Sequence, residues 1–433
     1  MPAASDVATS AKATLTINDQ SPVALEGLVG TENELGLDVT ALRAKTKAIT
    51  LDPGYRNTGS CTSDITFINP EAGTLRYRGY PIEELAEHCS FLETAYLLIY
   101  GELPDQKTLD TFVSLVSDNT AVNDGLLKIL DGFPPDASPM AMLSACINGL
   151  CGYHPEVLQV EYEEHFDVTA AKLLGKVSTL AAAIYRHRNH EPGHPTPRPD
   201  LDYTTDLLRM SFADGHVDKG TAKAMDLIFL LHADHEQNCS ASTCRMVGSS
   251  HANLFASCAA AVCALWGPLH GGANAEIMNQ LQRIHDGQSI DPDSFIAGVK
   301  EKKYRLFGFG HPVYKNYDPR ARILKAQADA VLTGMDRQDD PLLKIAKRLE
   351  EVALADDYFV SRNLYPNVDF YSGLIMRAMN VPTDMFTVLF AVGRMPGWIA
   401  QWKETRDQAG KIYRPRQIYT GPAERHVVPA GER

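Results

Sequence analysis

Pro81-Ile82-Glu83-Glu84-Leu85-Ala86-Glu87, followed by Phe91-Leu92-Glu93-Thr94-Ala95-Tyr96-Leu97-Leu98-Ile99-Tyr100 and Gly101, decides the fold class. The first stretch opens with proline, which suits a first helical turn where an N–H has no partner anyway. In the second, apolar residues dominate at helical spacing and glycine supplies the stop. Helical patterning returns downstream, over roughly 107–116, 138–152, 168–187, 202–213, 219–235, 249–265, 274–285, 321–332, 340–354, 370–379 and 383–404. It predicts a mainly α protein with several layers of helices.

Upstream the pattern differs. Residues 1–58 are polar with short alternating stretches such as Ala13-Thr14-Leu15-Thr16-Ile17, and Asp52-Pro53-Gly54-Tyr55 forms a closing turn. A small β-rich N-terminal part is expected there. His190-Glu191-Pro192-Gly193-His194-Pro195-Thr196-Pro197-Arg198-Pro199 has too many prolines for a helix and reads as a loop.

With 433 residues the chain has room for two or three domains. Its 44% hydrophobic and 22% charged residues are those of an ordinary globular protein. No apolar run approaches a membrane span. A net charge of −13 makes a general nucleic-acid surface improbable and requires any anion-binding charge to be concentrated locally. Cys239/Cys244 and Cys258/Cys263 are spaced so that each pair points to different helix faces, so reduced thiols are expected. The small-residue run Ala256–Trp266 reads as a closely packed core or subunit-interface helix. Met1–Gln20 lacks both an apolar signal core and an Arg-rich transit face, and Gly431-Glu432-Arg433 is no peroxisomal tripeptide, so the expected compartment is the cytoplasm.

Five constellations carry candidate chemistry. In His232-Ala233-Asp234-His235-Glu236-Gln237-Asn238, the two histidines are three apart on a predicted helix face; a metal pair, a helix-end cap and an anion site are the alternatives. In Trp266-Gly267-Pro268-Leu269-His270-Gly271-Gly272-Ala273-Asn274, glycines open the backbone beside a histidine at a helix start. That position favours the neutral form and donation to an oxyanion; a plain turn histidine is the alternative. Gly308-Phe309-Gly310-His311-Pro312-Val313-Tyr314-Lys315-Asn316-Tyr317-Asp318-Pro319-Arg320 concentrates positive charge. Arg320 suits a carboxylate clamp and His311 a carbonyl, unless this is only a surface loop. In Leu364-Tyr365-Pro366-Asn367-Val368-Asp369-Phe370-Tyr371, apolar surroundings should raise the Asp369 pKa towards general-base use, or Asp369 merely caps a helix. Finally, Arg394 interrupts an apolar helix and needs an anionic partner, which for a dicarboxylate substrate is the ligand.

Together these segments resemble citrate synthase, in the bacterial form with an extra β-rich N-terminal part. The likeness runs from about Leu51 to Val428 and includes Arg76-Tyr77-Arg78-Gly79-Tyr80-Pro81-Ile82. It implies a condensation of acetyl-CoA with oxaloacetate to citrate and CoA through hydrolysis of citryl-CoA. By resemblance, Asp369 is the base at the acyl α-carbon, His270 the donor to the enolate oxygen and His311 the polariser of the ketone. His235, Arg320 and Arg394 hold the oxaloacetate carboxylates. Arg414 matches an arginine that the family supplies to the neighbouring subunit, so a homodimer or higher homo-oligomer is expected. The implied domains are 59–275 plus 381–433, large, and 276–380, small. No cofactor is expected, since acyl-CoA is a substrate, and no metal, nucleic acid or membrane.

The sequence departs from the pattern in places. Pro312 stands where the bacterial form usually has arginine, and Ser138 and Gln401 stand where histidine is common. Asp118-Asn119-Thr120 replaces the Arg-His-Thr that helps form an NADH site in some members, so no NADH inhibition is expected. Competing readings are an alkylcitrate synthase using propionyl-CoA or a longer acyl-CoA, a non-catalytic homologue, and a zinc enzyme built on His232 and His235.

Overall fold

The computed structural model describes residues 9–158, 165–212, 215–287, 291–310, 313–334, 339–408 and 411–433. They divide into two compact units, Met1–Ser63 with Arg414–Arg433, and Asp64–Tyr413.

The first unit contains the β-rich part. Thr9–Leu15, Val23–Val29 and Leu35–Leu37 pair antiparallel in that order. Along the middle strand, buried Val23 and Leu25 alternate with exposed Ala24 and Glu26, the period of a one-sided sheet. The Asp52 turn closes with Tyr55 N–H on the Asp52 carbonyl at 3.1 Å. Residues 414–429 carry no regular structure, and Arg414 is exposed.

The second unit is helical. Eighteen α-helices occur among the described residues, one of them, Leu42–Thr46, in the first unit. Phe91–Tyr100 lies where the periodicity places it. Ser90 and Glu93 form a reciprocal capping box at its start, and Gly101 closes it at φ +98°. The buried helix Phe166–Arg188 packs against Gln106–Ser117, Pro139–Gly149, Tyr203–Ser211 and Phe386–Asp407. By length and composition it matches a membrane span, yet 83% of its apolar window is buried inside the protein. Loop 190–199 is irregular and is held by Arg186, which donates to Pro192 and Gly193 carbonyls. All eight cysteines are free thiols.

Two helix readings require correction. The stretch 219–235 stops early: the helix is Lys219–His232, so His232 and His235 share no helix face. The stretch 249–265 begins late, at Leu254, and a separate helix, Cys239–Gly248, precedes it. The cause is capping. Asn238 and Asn253 each accept an N–H from the first turn that follows them, and so set two new starts.

The periodicity also missed a second antiparallel sheet, Thr66–Asn69, Thr74–Tyr77 and Tyr80–Pro81. Its strands are too short to alternate visibly. They matter because two of their side chains brace the turn after His232. Tyr77 donates its hydroxyl to the Asp234 carbonyl at 2.9 Å, and the Thr66 hydroxyl donates to the Asp234 carboxylate at 2.7 Å.

The long helix Phe386–Asp407 carries Pro396 in its interior. Beyond that proline, the Gly397 N–H donates to the Ala233 carbonyl at 3.0 Å. A Cβ at Gly397 would lie 2.2 Å from that same oxygen, so only glycine permits the contact.

Candidate active site

Four segments supply the candidate side chains. The first is the turn 233–238. Its Asp234 carboxylate accepts the Glu236 N–H at 3.0 Å, which holds Glu236 at φ +55°. His235 is buried there, with Nε2 3.3 Å from the Tyr314 hydroxyl. His232 is buried too. Its Nδ1 lies 2.7 Å from the Ile228 carbonyl, while Nε2 has no hydrogen-bond partner among the described residues. Burial, with Arg320 behind it, pulls the His232 pKa down to about 3. The described residues contain no cluster of three or more His, Cys, Asp or Glu fit for a metal. Because the helix ends at His232, the zinc reading loses the shared helix face on which it rested.

The second segment places His270 in the bend before the helix Ala273–His285. The helix end that it faces is a different one. The Ser240 N–H, in the first turn of Cys239–Gly248, donates to His270 Nε2 at 3.2 Å, and the Ser240 hydroxyl lies 2.9 Å from the same atom. An N–H is a fixed donor, so Nε2 must accept and the ring proton sits on Nδ1. Burial first, then the Arg394 charge, pulls the His270 pKa down to about 4. The glycine-rich motif suggested the neutral form; the tautomer is set by Ser240, to which the motif did not point.

Arg320 opens the helix Pro319–Gly334 and is buried. Its guanidinium is already clamped. Nε and one terminal nitrogen meet the two Asp318 oxygens at 3.1 and 3.0 Å. Nearby Lys315 points away, to an exposed ion pair with Glu71. The concentrated positive charge read from the sequence is thus partly neutralised within the protein. His311 and Pro312 lie outside the described residues.

Asp369 sits in the first turn of the helix Val368–Ala378. The capping role falls to Asn367, whose side chain accepts from the Asp369 and Phe370 N–H groups. Asp369 is therefore not needed as a cap. Burial raises its pKa to about 6, against the opposing pull of Arg320 and Arg394.

Arg394 lies on the long helix, buried beneath Phe390, whose ring centre is 4.9 Å from the guanidinium carbon. Its Nε donates to the His232 carbonyl. One terminal nitrogen, Nη1, is buried with no hydrogen-bond partner among the described residues. Burial pulls the Arg394 pKa down to about 10, with Asp234 the largest opposing charge. Leaving a buried cationic donor unpaired costs stability, and an anionic ligand would remove that cost. Arg394 acts electrostatically on both His270 and Asp369, so the three share one environment.

Sequence reasoning missed the supports: Asp234, Ser240, Asp318 and Trp398. Asn238 as a helix cap was the one signal that could have pointed to Ser240.

The site thus joins a carboxyl raised above its ordinary value, a histidine pulled towards its neutral form and an arginine whose Nη1 has no hydrogen-bond partner among the described residues. Comparison with known proteins identifies the family. Residues 54–416 match the family described as "Citrate synthase, C-terminal domain". Citrate synthase 1 of Mycobacterium tuberculosis is 48% identical over 407 residues, covering 92% of this chain and 93% of that one. The citrate synthase of Corynebacterium glutamicum is 47% identical over 409 residues, covering 93% of each. Among solved structures, citrate synthase from Pyrobaculum aerophilum superposes with a TM-score of 0.81 at 33% identity, covering 88% of this chain and 95% of that one. A ternary complex of the Thermoplasma acidophilum citrate synthase with carboxymethyl coenzyme A and oxaloacetate superposes at 0.79 with 30% identity, covering 89% of this chain and all of that one. The chain belongs to the citrate synthase family.

Proposed function

We propose that the protein condenses acetyl-CoA with oxaloacetate to give citrate and CoA, with Asp369, His270 and His311 as the reacting side chains. Asp369 takes a proton from the thioester α-carbon. His270 donates through Nδ1–H to the enolate oxygen that develops. The enolate carbon attacks the oxaloacetate ketone and forms the new C–C bond. His311 supplies the proton to the ketone oxygen. Water then cleaves the citryl-CoA thioester and CoA leaves. His235, Arg320 and Arg394 hold the oxaloacetate carboxylates, with Arg414 of a second copy completing the set. The observation that carries this reading is Asp369 itself: half-buried, relieved of capping, and raised to about 6. Closure of 276–380 over the rest of the helical unit would keep water out until the C–C bond exists. The chemistry so written uses no cofactor, and its place is the cytoplasm.

Free CoA release, followed with a thiol reagent, tests the reaction. Asp369→Asn should lower kcat by about a thousandfold. Turnover that survives Asp369→Asn sinks the proposal. An acyl-CoA series decides the acyl group. One methylene is worth only about 1–3 kcal/mol of selectivity, so kcat/KM must be compared across acetyl, propionyl and butyryl. Acetyl-CoA as the poorest of the three would favour an alkylcitrate synthase. Mixing inactive Arg414→Ala and Asp369→Asn proteins under subunit exchange should restore activity, because each hybrid dimer then has one intact site. No recovery would remove Arg414 from the shared site.

A further inference from the structure

We infer that Trp398 is a positioning residue for His270, acting through the Ser240 hydroxyl. The inference rests on the reading of His270 as the enolate donor. Trp398 is buried, one turn after Arg394 on the helix Phe386–Asp407. Its indole N–H donates to Ser240 Oγ at 3.1 Å. An indole can only donate, so this bond has a single direction. The Ser240 hydroxyl has one proton and two lone pairs, and Trp398 occupies a lone pair. The proton is then directed at the two remaining neighbours, Asn238 Oδ1 at 2.8 Å and His270 Nε2 at 2.9 Å. The Ser240 N–H meets Nε2 at 3.2 Å. The N–H makes Nε2 an acceptor and keeps the imidazole proton on Nδ1, and the hydroxyl proton, shared between Asn238 Oδ1 and Nε2, supports it.

Without the indole N–H, the Ser240 hydroxyl can turn its proton away from Nε2, leaving the Ser240 N–H as the donor that remains on that atom. The ring keeps its proton on Nδ1 but loses one of the two contacts that aim that proton at the enolate. Trp398 and Arg394 are four apart, so one helix face carries both the arginine with the open hydrogen bond and the brace for the donor. A shift of that helix on oxaloacetate binding would reach His270 through two hydrogen bonds.

The test uses the full chain with Trp398→Phe, Ser240→Ala and the double variant, and histidine-selective 15N labelling of the parent. Trp398→Phe should lower kcat roughly tenfold while the oxaloacetate KM stays within about twofold. The double variant should be no slower than Ser240→Ala, because both changes break the same relay. Losses that multiply would overturn the inference, as would an unchanged kcat for Trp398→Phe. The 15N spectrum reads the tautomer independently of activity. A parent with Nε2 protonated overturns the relay even if the variants fold poorly. His270→Ala separates the two readings: full turnover there defeats the role of His270, whereas its loss beside a normal Trp398→Phe defeats only the relay.

Discussion

The corner around Arg320 and the corner around Arg394 are built on the same residue type and solve its burial in opposite ways. Arg320 is clamped by Asp318 through two parallel hydrogen bonds. Arg394 has a main-chain acceptor at Nε and an Nη1 without a hydrogen-bond partner among the described residues. The first corner carries its own counter-charge before any ligand arrives. The second meets no hydrogen-bond acceptor at Nη1 among the described residues. The arginine that has no such partner is the one whose pairing with an anion should matter most to binding.

The largest effect that tests this contrast is on stability. Arg320→Gln leaves the Asp318 carboxylate buried without its partner and should cost about 4 kcal/mol in a denaturant melt. Arg394→Gln should cost less than about 1 kcal/mol in the same melt, because it removes an unpaired donor along with a charge. Equal losses would erase the distinction between the corners.

Next comes Asp369, the half-buried carboxyl on which both arginines act electrostatically. Its folded pKa is raised to about 6, above the ordinary carboxylate value of 3.8. The folded state therefore holds a proton that the unfolded chain releases. The stability contributed by this group is full below the unfolded value and is lost as pH rises through 6. At pH 8 the deficit is about 3 kcal/mol. Asp369→Asn should recover much of it, so the inactive variant should melt higher than the parent at pH 8 and no higher at pH 4. The acid limb of kcat/KM should fall near pH 6 in the parent, where the base becomes protonated.

Arg394→Gln should raise the oxaloacetate KM by about a hundredfold, the cost of one charge-assisted pairing at a buried site. An unchanged KM would mean that Nη1 serves no ligand. The smallest effect belongs to Lys315. Its pair with Glu71 is exposed, so Lys315→Ala should move stability by less than about 1 kcal/mol and leave KM within about twofold. A large KM change there would restore the positive cluster that the sequence suggested.

Much of the helical framework was legible because periodicity and punctuation agree in it, as Phe91–Tyr100 with its Gly101 stop illustrates. The reading broke where a single capping side chain overruled a continuous pattern. Asn253 divides the stretch 249–265, and Asn238 starts the helix Cys239–Gly248, which lies between the two predicted stretches; the turn that carries His235 precedes that start. The site was legible in its reactive groups and opaque in their supports. Asp369 alone could have been a cap, and only the contact of Asn367 with two N–H groups removes that option. Ser240 and Trp398 are separated by 158 positions, and no local pattern announces a hydrogen bond between them. Asp318 was not legible: the sequence shows that Arg320 carries a charge but not that Asp318 already touches it.

The contact between Gly397 and the Ala233 carbonyl bears on how this chain can drift. Every side chain larger than hydrogen at 397 would collide with a backbone atom of the turn that precedes His235. A saturation library should find that position blank, while its neighbours on the same helix accept exchanges of similar volume. The constraint involves no charge and no reacting group. It is a place where the site limits inheritance through shape alone.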